Sequence, residues 1–156
     1  MNEVIKELRD IVAAYSRKFL AFSDQDFAVK PNPTKWSRKE VVGHLIDSGQ
    51  NNLRRFIVGQ YDHQPLVIYE QNFWVNASNY QQAKKEDVIE LWRLINNQIC
   101  AVLVSMPREN YSMQANTSRT TTPELHPLEW LAADYVKHMK HHINQVIAGS
   151  FDIVYP

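Results

Sequence analysis

Four stretches of apolar residues at three- and four-residue spacing limit what this chain can become more than any other feature of it. The first runs from about Asn2 to Phe22 and carries Ile5, Leu8, Ile11, Val12, Tyr15 and Phe19 on one helical face. The second starts at Ser37, with Glu40 three residues on, the spacing of a capping box; Val41, Leu45, Ser48, Asn52 and Phe56 follow along one side. The third spans about Lys85 to Ser105, with Val88, Leu91, Trp92, Ile95, Ile99, Val102 and Leu103 as its stripe and Pro107 as its stop. The fourth opens near Pro127, runs to about Ala148 and meets Gly149, a natural terminator. The whole chain holds four glycines, and neither Asn-Gly nor Asp-Gly occurs, so hairpin signals are absent. The pattern predicts an all-α chain.

The links between these segments are unequal. From Gly59 to Ala83 lies a long connection holding Tyr61, Tyr69, Phe73, Trp74 and Tyr80, which predicts a crossover packed on the bundle. Gln114 to Thr122 is rich in Thr, Ser and Asn and reads as a mobile surface loop. With 156 residues and no internal repeat, a single domain over 1–156 is expected. Seventeen basic residues balance seventeen acidic ones, which argues against a nucleic-acid partner. Cys100 is the only cysteine, so no intrachain disulfide forms, and a cytoplasmic setting is expected. The N-terminus lacks the apolar run of a signal peptide, and no stretch reads as the roughly 18 apolar residues of a membrane span.

Histidine is the residue type that points to chemistry. Of His44, His63, His126, His138, His141 and His142, three fall in the sequence HMKHH. On a helical wheel the apolar face of the fourth segment centres so that His142 lies about 40° from it, His138 about 80° and His141 about 140°. His142 then faces inward, His138 sits at the edge of the core and His141 points outward. His138 and His142 are an i, i+4 pair, the spacing at which two imidazoles can share one ion. Such a pair alone is more often two partly buried, hydrogen-bonded histidines. A third ligand would have to come from another helix, and His44, at the border of the second segment's apolar face, is the candidate. Three neutral imidazoles suit zinc, nickel or iron and leave positions open for water or substrate.

Two stretches carry a family resemblance. KWSRKEVVGHLIDS, Lys35 to Ser48, resembles the DinB/YfiT superfamily pattern of Trp-Ser, Glu, Gly-His and Asp. WLAADYVKHMKHHINQV, Trp130 to Val146, resembles that family's last helix, which ends in HxxxH followed by Gln. The resemblance implies an up-down-down-up four-helix bundle, often a homodimer, with a long crossover between helices two and three. It also implies a divalent metal, zinc or nickel, on the residues that match here: His44, His138 and His142. Some members are thiol-dependent S-transferases using a low-molecular-weight thiol, related ones are isomerases, and others are described as metal-dependent hydrolases. The resemblance therefore predicts an enzyme acting on a small-molecule substrate, with a non-catalytic metal-binding or interaction bundle as the alternative.

Other residues are less decided. Asp47 either accepts an imidazole N–H or sits solvated, since the wheel puts it about 60° outward of His44. Gln145 either touches substrate or ends the polar seam. Trp36 reads as packing, Arg54 and Arg55 as a solvated face, and Cys100 as a small packing residue off the main stripe. Tyr69, Glu70 and Gln71 in the crossover are the remaining candidates for a second catalytic group.

Overall fold

Ser37 opens the helix with the most buried residues. Its side chain accepts from the Glu40 amide while the Ser37 amide donates to the Glu40 carboxylate, so the predicted capping box closes in both directions. The computed structural model describes residues 1–155. Helix α1 spans Asn2–Leu20, a short α2 spans Asp24–Ala28, α3 spans Arg38–Val58, α4 spans Gln71–Ser78, α5 spans Lys85–Ser105 and α6 spans Leu128–Val146. The four long helices are the four predicted segments, and they form a four-helix bundle. Around it α5 packs on α1 and α3, and α6 packs on α3 and α1.

In the up-down-down-up arrangement α3 and α5 run parallel as neighbours. A helix of this length rises about 30 Å, so the chain must travel that far back before α5 can start. That requirement accounts for the long crossover. It is more ordered than a plain loop: α4 lies within it, followed by a single 3₁₀ turn at Tyr80–Gln82. Val67, Val75 and Tyr80 are buried, whereas Tyr61 and Phe73 stay exposed. The crossover is tied to α3 by Arg55, whose Nε and Nη2 both donate to the Val67 carbonyl, at 3.1 and 2.6 Å. Arg55 is thus half-buried and structural rather than solvated, while Arg54 is exposed as expected.

The six apolar residues predicted for α1 are all buried. In α5 the stripe is rotated from its predicted position. Leu91 is exposed, while Ile89, Asn96 and Cys100 are buried. The shift follows from a polar tie across the core, where the Tyr135 hydroxyl donates to Asn96 Oδ1 at 2.7 Å and Asn96 donates to the Trp92 carbonyl. Cys100 is a buried packing residue. By length and composition α5 could cross a membrane, which the sequence reading did not anticipate. Its charges cluster in the first turns, leaving an apolar C-terminal half, and that half supplies Ile99, Cys100 and Leu103 to the bundle core.

The polar run after α5 departs from expectation as well. Gln114–Asn116 forms strand β1, paired antiparallel with β2, Leu125–Pro127, and Asn116 also bridges to Leu66 of the crossover. Ala115 and Ser118 are buried. The Asn116 side chain accepts from the Ser118 and Glu124 amides, which closes the loop on itself.

Candidate metal centre

Helices α3 and α6 pack side by side, and this brings the histidine of one against the pair on the other. His44 Nε2 lies 3.3 Å from His138 Nε2, and His142 Nε2 lies 3.0 Å from the same atom. The ligand atoms of the three residues all fall within 4.8 Å of one another. Nitrogens held by one zinc at about 2.0–2.1 Å and tetrahedral angles stand about 3.3 Å apart. The three imidazoles therefore fit a single divalent ion. His63, His126 and His141 lie outside the cluster; His126 instead stacks on Trp130 with ring centroids 3.8 Å apart.

The outer ring nitrogens explain why the three Nε2 atoms converge. Ser48 Oγ stands 3.4 Å from His138 Nδ1, and Gln145 Oε1 stands 3.0 Å from His142 Nδ1. The Gln145 amide oxygen can only accept, so Nδ1 of His142 carries the proton and its Nε2 presents a lone pair. The same assignment for His138 lets Nδ1–H donate to the Ser48 hydroxyl. His44 has no such support, because its Nδ1 is buried without a hydrogen-bond partner among the described residues. Its ring is held by packing against Trp36, centroids 5.0 Å apart, and against Tyr69 at 6.4 Å.

Burial keeps all three rings neutral at neutral pH. His44 is lowered to about 3 by burial, with the nearby His142 adding to the effect. Burial takes His142 to about 4, although its Gln145 hydrogen bond pulls the other way. His138 is held well below its ordinary value by burial first, then by His142 and His44. A neutral imidazole is the form that ligates a metal, so the cluster needs no proton release to accept one.

Several single-residue expectations change here. The wheel set His142 deeper than His138, yet both are half-buried and His138 stands in the middle of the set. A wheel sees only its own helix, and it is α3 that covers His138. Asp47 is buried at 1% exposure and does not reach His44; it accepts instead from the Tyr80 hydroxyl. Gln145 is a partner of the histidines, its Oε1 on His142 and its Nε2 on His141 at 3.1 Å. Tyr69 does approach the site, while Glu70 and Gln71 are exposed beside it. Tyr155 was not anticipated. Its ring lies 5.6 Å from that of His138, and its hydroxyl donates to Asp134. Only the placement of Ser48, one turn after His44, and Gln145, three residues after His142, could have flagged supporting partners in sequence.

A cavity of ≈ 910 Å³ opens beside the cluster, with His142, Gln145, Trp36 and Val41 in its wall. Such a volume admits a small organic molecule.

A family model described as the DinB superfamily matches residues 5–146. YfiT of Bacillus subtilis (strain 168), whose name gives metal-dependent hydrolysis as an inference, is 22% identical over 143 residues, 91% of this chain and 79% of YfiT. The solved YfiT structure, described as an unusual four-helix bundle topology, aligns with a TM-score of 0.83 at 21% identity over 93% of this chain and 82% of that one. A mycothiol-dependent maleylpyruvate isomerase aligns at a TM-score of 0.71 and 12% identity, covering 91% of this chain and 59% of the isomerase. At these identities the structural likeness shows the fold.

Proposed function

The chain belongs to the DinB superfamily, and on that premise we propose that it is a metal-dependent enzyme acting on a small molecule, a thiol-dependent S-transferase in the first reading. The observation that carries this is the convergence of three neutral imidazole Nε2 atoms at 3.0 and 3.3 Å, with two of their outer nitrogens held by Ser48 and Gln145. Three protein ligands leave positions open, as catalytic rather than structural sites do. A divalent ion there, zinc or nickel, would supply the positive charge that keeps a thiol or a water deprotonated at neutral pH.

The remaining steps belong to the chain's own residues. Ser48 and Gln145 fix the tautomers that aim the ligand nitrogens. Trp36, Tyr69 and Trp74 give an apolar wall beside His44, with Tyr69 and Trp74 ring centroids 5.5 Å apart. That wall suits an apolar electrophile and excludes water from it. Burial raises the Tyr69 hydroxyl above its ordinary value, so at neutral pH it stays protonated and able to donate a hydrogen bond to the leaving group.

The thiol reading draws support from the thiol dependence in the name of the isomerase neighbour. Hydrolysis is the second reading, favoured by the activity in the name of YfiT. The test is metal analysis of protein purified without a metal-binding tag. It is followed by conjugation of a chlorobimane with bacillithiol, glutathione or cysteine, beside a panel of esters and amides. Thiol-dependent turnover that vanishes in His142→Ala supports the transferase, and turnover of esters or amides without thiol supports the hydrolase. Metal-loaded protein inert in both panels leaves metal binding without catalysis.

A further inference from the structure

We propose that the cavity beside His142 receives the negatively charged end of a small organic substrate, with Lys35 as its free counter-charge and Arg38 as the second. The proposal rests on the metal-centre reading above and specifies the class of molecule it serves.

The cavity wall contains Lys30, Lys35 and Arg38 and no Asp or Glu. In a chain whose basic and acidic residues balance, seventeen against seventeen, that is a local excess. The three cations differ in what they already hold. Lys30 is spent on Glu40, at 2.8 Å. The Arg38 guanidinium donates to the Val146 and Asp26 carbonyls at 3.1 and 2.8 Å and lies over the Phe22 ring. Those acceptors are carbonyls, so Arg38 has no ion-pair partner among the described residues. Lys35 is exposed and has no ion-pair partner among the described residues.

The rest of the wall fits the same occupant. His142 and Gln145 bring the metal ligands into the wall, Arg38 reaches the Val146 carbonyl one residue beyond Gln145, and Trp36, its ring centroid 5.0 Å from that of His44, adds a flat apolar surface. A molecule with a metal-binding atom at one end, a short organic body and an anionic group at the other would satisfy every part. Carboxylate and phosphate share the required chemistry, a compact anion that accepts from ammonium and guanidinium donors.

The experiment uses the full chain loaded with cobalt(II) and follows the thiolate-to-cobalt absorption during titration with thiols that differ only in their tails. The probes are 3-mercaptopropionamide, 3-mercaptopropionate and 2-mercaptoethyl phosphate. The expected affinity order is phosphate, then carboxylate, then amide. Each step should be about threefold at low ionic strength, the size of one partly exposed charge contact, and the order should weaken in added salt. Lys35→Gln should compress the order and leave the amide probe's affinity unchanged, and Lys35→Glu should invert it. Carboxylate tighter than phosphate would assign the outer group as carboxylate within the same proposal. Equal affinities for all three tails in the unsubstituted chain would overturn the proposal while leaving the metal centre standing, as would a charge preference undiminished in Lys35→Gln. Absence of thiolate absorption with every probe on the cobalt-loaded chain, the neutral amide included, would overturn the thiol reading of the centre and this inference with it, whereas failure of the chain to take up cobalt would overturn the metal-centre reading itself.

Discussion

The Tyr80 hydroxyl donates to Asp47 Oδ1 at 2.6 Å, pinning the crossover to α3 one turn beyond His44. Both side chains are buried, and Asp47 Oδ2 has no partner among the described residues. Burial raises the Asp47 carboxyl to about 6, although the Tyr80 hydrogen bond lowers it in part. Between pH 3.8 and about 6 the folded chain thus holds a proton at Asp47 that the unfolded chain has lost. Stability from this group rises as pH falls from about 6 toward 3.8, and its charge is a cost above that window. His44 and His142 act in the opposite sense, losing stability as pH falls from 6.5 toward about 3 and about 4 respectively, because the unfolded chain takes up their protons first. Asp47→Asn isolates the carboxyl. Urea midpoints should show the variant gaining on the unsubstituted chain by about 2 kcal/mol between pH 4 and pH 7. A difference that does not change with pH would mean that Asp47 titrates normally.

Gly43 is the reason Tyr80 can lie so close. A Cβ at position 43 would stand 2.2 Å from Tyr80 Cδ2 and 2.4 Å from Cγ. Because these atoms belong to the ring of a buried residue, the crossover itself must move. Gly43→Ala should cost about 1–3 kcal/mol through overpacking, despite the better helix propensity of alanine. Tyr80→Phe should cost a similar amount at neutral pH by leaving the buried carboxylate unpaired. If the two effects share one cause, the double variant will be less destabilised than the sum of the single ones. Strict additivity would separate the glycine from the hydrogen bond.

Periodicity made the four long helices legible, because each has one face that must leave water and that face repeats in sequence. All six core positions of α1 and the capping box of α3 could be read directly. The metal candidates were legible for a related reason: i, i+4 spacing on α6 is a local property, and His44 stood at the border of its own helix's apolar face, a place to which the resemblance of its surrounding motif added a ligand role. What could not be read depends on neighbours. Asp47 reads in sequence as either an imidazole acceptor or a solvated side chain, because a wheel cannot know that the crossover covers that side of α3. Arg55 looked solvated because its acceptor, the Val67 carbonyl, lies in that same crossover. The stripe of α5 is turned by Asn96, a polar residue that a hydrophobic pattern discounts. Helix α2 was missed because five residues carry too little periodicity, although Ser23 caps it by accepting from the Asp26 amide.

The ligand set makes a stoichiometric prediction. Each chain should bind about one divalent ion, and His44→Ala, His138→Ala and His142→Ala should each remove most of it. His141→Ala should keep the metal, since His141 stands outside the ligand set and meets it only as a neighbour, its ring edge-on to His142 at 4.9 Å and its Nε2 on Gln145. Metal content by mass spectrometry, with a thermal shift on adding zinc or nickel, checks both. Full metal retention by the His44 variant would sink the proposed set, and loss of metal from the His141 variant would redraw it.

The supporting hydrogen bonds give the sharpest separation between a built metal site and three histidines that merely touch. Gln145 Oε1 accepts from His142 Nδ1, and the Ser48 hydroxyl faces His138 Nδ1. If these contacts aim Nε2 at an ion, removing them should cost metal affinity far more than stability. Gln145 is exposed and Ser48→Ala removes one atom, so folding should change by no more than about 1 kcal/mol in either variant. Metal affinity should fall by about 10–100-fold in each, the usual consequence of losing an outer partner of a ligating histidine. Gln145→Glu tests the direction, because a carboxylate accepts the same proton more strongly and makes the ring a better ligand; affinity should hold or rise. Competition against a chromophoric chelator measures all three. Equal affinity across Ser48→Ala, Gln145→Ala and Gln145→Glu would show that the outer contacts do not orient the rings, leaving the convergence of the Nε2 atoms to packing alone.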